Sequence, residues 1–212
     1  MNYKEALQNN IFSIISKSGT ELNQETFVIG GYVRDFLLNR SKTKDIDIVT
    51  VGDGIKLAQQ VAKNLPQHPK VQVFKTYGTA MLHYENIDIE FVGARKESYK
   101  ENSRNPEVEK GSLQDDQNRR DFTINALALS LNDYNFGDLL DPFNGVSDLN
   151  NKVIRTPLDP DITYSDDPLR MMRAIRFSTQ LGFEIEKTSL SAISKNNERI
   201  KIITNERIVV EL

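Results

Sequence analysis

Between Val28 and Val51 the chain reads VIGGYVRDFLLNRSKTKDIDIVTV, and no other stretch limits its possible folds as tightly. The apolar run TFVIG has the length and composition of a short buried strand. It ends in Gly30 and Gly31, which open a helix over YVRDFLL, and the chain then returns as DIDIV, alternating with period two. Residues i and i+2 of a strand project from the same face. Ile46 and Ile48 therefore point to a core, while Asp45 and Asp47 point together to the opposite face. A strand, a glycine turn, a helix and a half-acidic strand in so short a span require a sheet with one face buried and the other holding two carboxylates.

The flanking pattern extends this to an α/β (α+β) domain with a mixed sheet. Tyr3 to Ser18 reads as an amphipathic helix with Leu7, Ile11, Ile14 and Ile15 on one stripe and Gly19 as its stop. Asp53 to Leu65 repeats apolar residues at helical intervals, and the strand-like runs VQVFK, TAMLHY and IDIEFV follow. RRDFTINALALSL reads as helical, and GDLLDPFNGVSDLNNKVIRT as strand, turn, short helix and strand. From Asp166 onward the chain is helical through DDPLRMMRAIRFSTQLG, KTSLSAISKNN and NERIVVEL. Residues 1–156 thus form one unit, and 157–212 begin a second, helical one that stops on an apolar run, as if cut in mid-architecture. Arg95 to Arg120 fits neither pattern. Its 26 residues hold seven basic and six acidic side chains and three large apolar ones, the composition of a disordered segment or a functional lid.

Composition narrows the functional classes. There are no cysteines, so neither a disulfide framework nor a thiolate zinc site can form. No apolar run is long enough to span a membrane, and MNYKEALQNN lacks the order of a signal peptide, so a cytoplasmic location is expected. The net charge of −3 gives no overall basic surface, and any contact with nucleic acid must come from local groups.

Two carboxylates on one strand face repel unless a cation or a proton lies between them. Magnesium prefers one or two carboxylates completed by substrate phosphates. A neighbouring strand, NIDIEFV, offers Asp88 and Glu90 as a third acid. Glycines allow a ligand close to the backbone, so Gly30 and Gly31 can cradle a triphosphate, with Arg34 reaching it from the first helical turn. An isolated Asp-x-Asp is usually only a solvent-facing pair, and a Gly-Gly only a tight turn; their conjunction is more specific. Further on, Arg170, Arg173 and Arg176 drift about 60° per step around a helix. They form a basic flank, with Met171, Ala174, Ile175 and Ser178 roughly opposite. Asp167 before Pro168 is an ordinary helix cap. His68 and His83 read as structural.

GGYVRDFLL with DIDIV, then RRDFTINALA, LLDPFNGVSDLNNKVIRT, DDPLRMMRAIRF and NERIVVEL, resemble in order five successive motifs of the class II CCA-adding enzymes and bacterial poly(A) polymerases, within the polymerase-beta-like nucleotidyltransferases. The resemblance runs from about Phe27 to the last residue. It implies a catalytic head (1–156) and the first helices of a neck (157–212) that reads the nucleotide base. It also implies transfer of CMP or AMP from CTP or ATP to the 3′ end of tRNA by two-metal catalysis with Mg2+. Poly(A) addition and a non-catalytic nucleotide-binding module are the alternatives. By the same resemblance Asp45 and Asp47 hold metal, and Glu90, which precedes a short run ending in Arg95, is preferred to Asp88 as the third acid. Gly31 and Arg34 lie at the phosphates, Arg120 binds nucleotide, and Asp121 senses the ribose hydroxyl. Asp167 and Arg170 pair with the base edge, and Arg173 and Arg176 contact phosphate or position the helix. The family usually has Glu-Asp where this chain has Asp166-Asp167, so Asp166 takes no assigned role. The polar segment before Arg119 corresponds to the family's mobile loop.

Overall fold

A computed structural model of the chain describes residues 1–40, 45–99 and 106–212. After a 3-10 turn at Lys4–Leu7, the elements are α1 (Asn10–Glu21), β1 (Glu25–Ile29), α2 (Gly31–Leu37), β2 (Asp45–Val51), α3 (Gly54–Asn64), β3 (Val71–Phe74), β4 (Thr79–Tyr84) and β5 (Ile87–Gly93). They continue with β6 (Arg95–Ser98), β7 (Glu107–Lys110), α4 (Leu113–Asn118), β8 (Ala128–Ser130), β9 (Leu139–Leu140), α5 (Gly145–Asn151) and β10 (Val153–Ile154). The last are α6 (Pro160–Asp166), α7 (Leu169–Leu181), β11 (Glu184–Ile185), α8 (Lys187–Asn196) and α9 (Asn205–Val210). None of the described helices is long and apolar enough to cross a membrane.

Among the described residues seven strands form one mixed sheet in the order β3-β4-β5-β2-β1-β8-β9. β2 and β5 run parallel, with α3 in the crossover between them, and the other neighbours run antiparallel. The period-two alternation separates two cores. Val28, Ile46, Ile48, Ile89 and Phe91 face a main core with Ile11, Phe12 and Ile15 of α1 and Leu57 and Val61 of α3. Phe27, Ile29, Val49 and Ala128 face a smaller cluster with Leu113 of α4. The main core also takes in Met171, Ala174 and Phe177 of α7 and Ala192 of α8, so apolar packing is continuous across residue 156.

Four expectations need correction. The N-terminal helix is split: Asn9 caps α1 by accepting from the Ile11 amide at 2.9 Å, and Gly19 lies inside the helix, not at its stop. RRDFTINALALSL is not a helix. A 3-10 turn at Thr123–Asn125 leads into β8, which pairs with β1 and is buried throughout, so a helix-favouring Ala-Leu repeat serves as a strand covered on both faces. The polar 95–120 segment is largely regular: β6 and β7 make an antiparallel ribbon, and Ser112 begins α4 with a capping box closed by Asp115. Arg95 and Arg119 both bind the buried Glu97 carboxylate; the part of the expected loop at 100–105 lies outside the described residues. Finally, Ile175 is exposed, and the apolar face of α7 is built from Met171, Ala174 and Phe177.

The close approach of α3 to β5 depends on Gly54. A Cβ there would lie 2.8 Å from the Gly93 nitrogen and the Val92 carbonyl carbon, both backbone atoms that cannot swing aside. Gly54→Ala is therefore expected to cost about 1–3 kcal/mol in a denaturant titration. A loss within error of zero would mean that this contact does not constrain the fold.

Candidate active site

Because β2 and β5 are parallel and in register, Asp47 lies beside Glu90, and Asp45 beside Asp88. Neighbouring strands are about 4.8 Å apart, and paired residues share a face. Asp47, Val49, Glu90 and Val92 accordingly floor a cleft of about 320 Å3, with Thr79 from β4 at its side. Its opposite wall is cationic and comprises Arg95, Arg119, Arg120, Arg170 and Arg173, with Asp121 and Asp167 among them.

The carboxylates on the floor are under electrostatic stress. Burial raises the Asp47 pKa, and repulsion from Asp45 and Asp116 adds to the shift while the Arg120 charge opposes it. Glu90 is also raised, first by burial and then by the charge of Asp47, although Thr79 hydrogen-bonds to it. A cation between such groups relieves both effects. Among the described residues no three carboxylate or imidazole groups close into a ready metal cage. A few acidic oxygens open to a cleft are nevertheless the donor set for an ion that completes its shell from phosphates and water. The residues present fit that class of ion.

The wall is fixed by pairing. Asp116, buried within α4, accepts from Arg119 at 2.6 Å and from Arg120 at 3.3 Å. Arg170 is itself buried, and its Nη2 donates to the Arg119 carbonyl. Asp121 accepts at Oδ1 from the Phe122 amide (2.8 Å) and Asn125 Nδ2 (3.0 Å), and at Oδ2 from Arg173 at 2.6 Å. Burial pushes the Asp121 pKa up, but the Arg173 charge and these hydrogen bonds outweigh it and hold the group below its ordinary value. Asp167 accepts from the Leu169 amide at 3.2 Å, at the start of α7.

Of the residues singled out in the sequence, Asp47, Glu90, Arg120, Asp121, Asp167, Arg170 and Arg173 converge on this cleft. Asp45 lies two residues before Asp47 on the same strand, exposed. Gly30 has φ +84°, and a Cβ there would lie 3.0 Å from Arg120 Nη1 and 3.3 Å from Asp47 Oδ2, so this glycine admits the floor and wall to the turn. Gly31, Arg34 and Arg176 do not line the cleft. Arg34 chelates Asp35 and donates to Asn125 Oδ1 at 2.8 Å, and Arg176 binds Glu211 at 2.6 Å. Thr79, Arg119 and the buried anchor Asp116 were not anticipated. Arg119 adjoins Arg120 in the sequence, and that doubling was the available signal.

The Asp121 shift fixes a sign. A carboxylate with a depressed folded pKa stabilises above its unfolded pKa, and the contribution is lost as pH falls through the folded one. Asp121→Asn is expected to lower stability by no more than about 3 kcal/mol at pH 7, since Arg173 keeps Glu211 at 3.6 Å. The gap in thermal melting between the two proteins should hold at pH 5 and shrink below about pH 4. A gap constant down to pH 2 would contradict the ion pair.

Comparison with known proteins agrees with this geometry. Residues 26–155 match the family model described as the poly A polymerase head domain, and residues 182–212 one described as a probable RNA and SrmB-binding site of polymerase A. The chain is 40% identical over 163 residues to an A-adding tRNA nucleotidyltransferase of Aquifex aeolicus, a match covering 77% of this chain and 19% of that one. It is 39% identical over 186 residues to a CCA-adding enzyme of Lactobacillus helveticus, covering 87% and 44% respectively. A solved tRNA nucleotidyltransferase, complexed with a primer tRNA and an incoming ATP analog, superposes with a TM-score of 0.80 at 33% identity over 93% of this chain and 54% of that one. The chain thus spans less than half the length of these two relatives. By its head-domain match and its fold, the chain belongs to the family of class II CCA-adding and A-adding tRNA nucleotidyltransferases that share the poly A polymerase head domain.

Proposed function

We propose that the chain transfers a nucleotidyl group from CTP or ATP to the 3′-hydroxyl of tRNA, as a CCA- or A-adding enzyme, with release of pyrophosphate. The observation that carries this reading is the pairing of Asp47 with Glu90 on one sheet face, opposite five arginines. Members of the family typically use divalent metal ions, and we assign Mg2+ to Asp45 and Asp47, with Glu90 as the third carboxylate. When bound, such ions lower the proton affinity of the attacking hydroxyl and neutralise charge on the phosphorus oxygens.

The protein's own groups do the binding and orientation. We place the triphosphate along Gly30, Gly31 and Arg120, with Arg34 bracing that end through Asn125, and the ribose beside Asp121 and Arg173. Asp167 and Arg170 meet the base edge: a carboxylate accepts from an exocyclic amino group, and a guanidinium donates to ring nitrogen or carbonyl. Cytosine and adenine both present an amino group beside an acceptor; uracil and guanine reverse that order. Arg170 suits this role because the Arg119 carbonyl already anchors its Nη2. Arg176, bound to Glu211, positions α7. In this reading residues 1–156 are the catalytic head and 157–212 the first helices of the base-reading neck.

Two experiments test the proposal. Asp45→Ala combined with Asp47→Ala should leave thermal unfolding nearly unchanged and reduce magnesium-dependent pyrophosphate release at least about a thousandfold; release at the wild-type rate would refute it. Asp167→Ala should erode the preference for CTP over UTP by about 10- to 100-fold, measured as the ratio of kcat/KM values. Incorporation of CTP onto tRNA ending at the discriminator base separates CCA addition from A-only or poly(A) addition.

A further inference from the structure

Phe177 has a role that its apolar character does not suggest. Its ring is 7% exposed and meets Phe122 edge-on, with centroids 5.9 Å apart and planes at 81°. Around it lie three guanidinium carbons, those of Arg34 at 5.0 Å, Arg173 at 5.3 Å and Arg176 at 4.4 Å from the ring centroid. All three fall within the range over which an aromatic ring attracts a cation. Three like charges around one side chain repel, and each is also tied to a carboxylate: Arg34 to Asp35, Arg173 to Asp121, and Arg176 to Glu211.

The ring differs from a fourth carboxylate in one respect that matters for geometry. It attracts the guanidinium through its π electrons and leaves the N–H donors free to bind carboxylates. Arg34 and Arg173 then converge on a single point of the cleft wall. Arg173 binds Asp121 Oδ2 directly, while Arg34 holds Asn125 Oδ1, and Asn125 Nδ2 holds Asp121 Oδ1. Asp121 is thus held at one oxygen by Arg173 and at the other by Asn125, which Arg34 in turn holds, and both arginines lie against the Phe177 ring.

We infer that Phe177 is a positioning residue for nucleotide binding: its π system fixes Arg173 and Arg34, and through them the Asp121 edge of the cleft. This rests on the nucleotide-transfer reading above. An alternative is that the ring only fills space between α7 and Phe122, in which case its electron density is irrelevant.

Site-specific incorporation of 4-fluoro-, 3,5-difluoro- and 3,4,5-trifluorophenylalanine at position 177 separates the two roles, because fluorination drains the ring face stepwise while nearly preserving its shape. With the chain, Mg2+ and a tRNA acceptor, KM for CTP is expected to rise at each step, reaching about three- to tenfold for the trifluoro ring. The value of kcat should stay within about twofold and thermal unfolding should be nearly unchanged. Phe177→Leu should raise KM at least as far, and Phe177→Tyr should restore most of it. A KM flat across the fluorinated series in an active chain would overturn the inference alone, leaving Phe177 as packing. A wild-type chain that incorporates no nucleotide would overturn the transfer reading, and the role of Phe177 in binding with it.

Discussion

The parallel pairing of β2 with β5 is the constraint on which the site depends. Among the described residues it is the one parallel contact in the seven-stranded sheet, and α3 makes it possible by returning the chain to the far edge of the sheet. Strand residues alternate between faces, so a shift of one position would put Glu90 opposite Ile46 or Ile48 and turn it away from Asp47. The register is held by apolar packing. Ile46, Ile48, Ile89 and Phe91 are all buried in the same core, so any slip that separates the acids also exposes these side chains to water. The stability of the core and the geometry of the carboxylates are therefore two consequences of one alignment.

The cationic wall is built on another principle. A protein with a net charge of −3 still concentrates five arginines on one cleft, and it does so by giving most of them internal partners. Asp116 fixes Arg119 and Arg120, Asp121 fixes Arg173, and a backbone carbonyl fixes Arg170. Arginine suits this arrangement because its planar fork has five donors; a bond on one side leaves others pointing into the cleft. Pre-paired guanidiniums are rigid, and rigid donors lose little freedom when a charged ligand arrives.

What could be read in the sequence divides along the same line. The alternation in DIDIV and NIDIEFV was legible because a strand reports its two faces locally, and Asp47 and Glu90 do share the cleft floor. The glycine turn was legible because Gly30 requires a positive φ. The wall was legible mainly as motif resemblance, and its wiring was not legible at all. Arg173 reaches Asp121 across 52 residues and Arg170 reaches Arg119 across 51, and no local period encodes such a contact. Arg34 and Arg176 do not line the cleft and bind Asp35 and Glu211 instead, contacts that the sequence does not signal because an arginine on a helix looks the same whether it faces substrate or a neighbouring carboxylate. β8 was misread because Ala and Leu favour helices in isolation, and burial on both faces between β1 and β9 overrides that preference.

β8 has a consequence for synthesis of the chain. Phe27 pairs with Ser130, so β1 waits for about a hundred further residues before its second edge is covered. During translation the acidic strands emerge first and the arginines of the opposing wall later, because Asp45 to Glu90 precede Arg119 to Arg173 in the sequence. A nascent chain therefore passes through a stage with an open sheet edge and clustered negative charge lacking its counter-charge. The acidic floor gains its counter-charge only when the stretch from Arg119 to Arg173 has followed, so long-range pairing makes assembly of the site a late event.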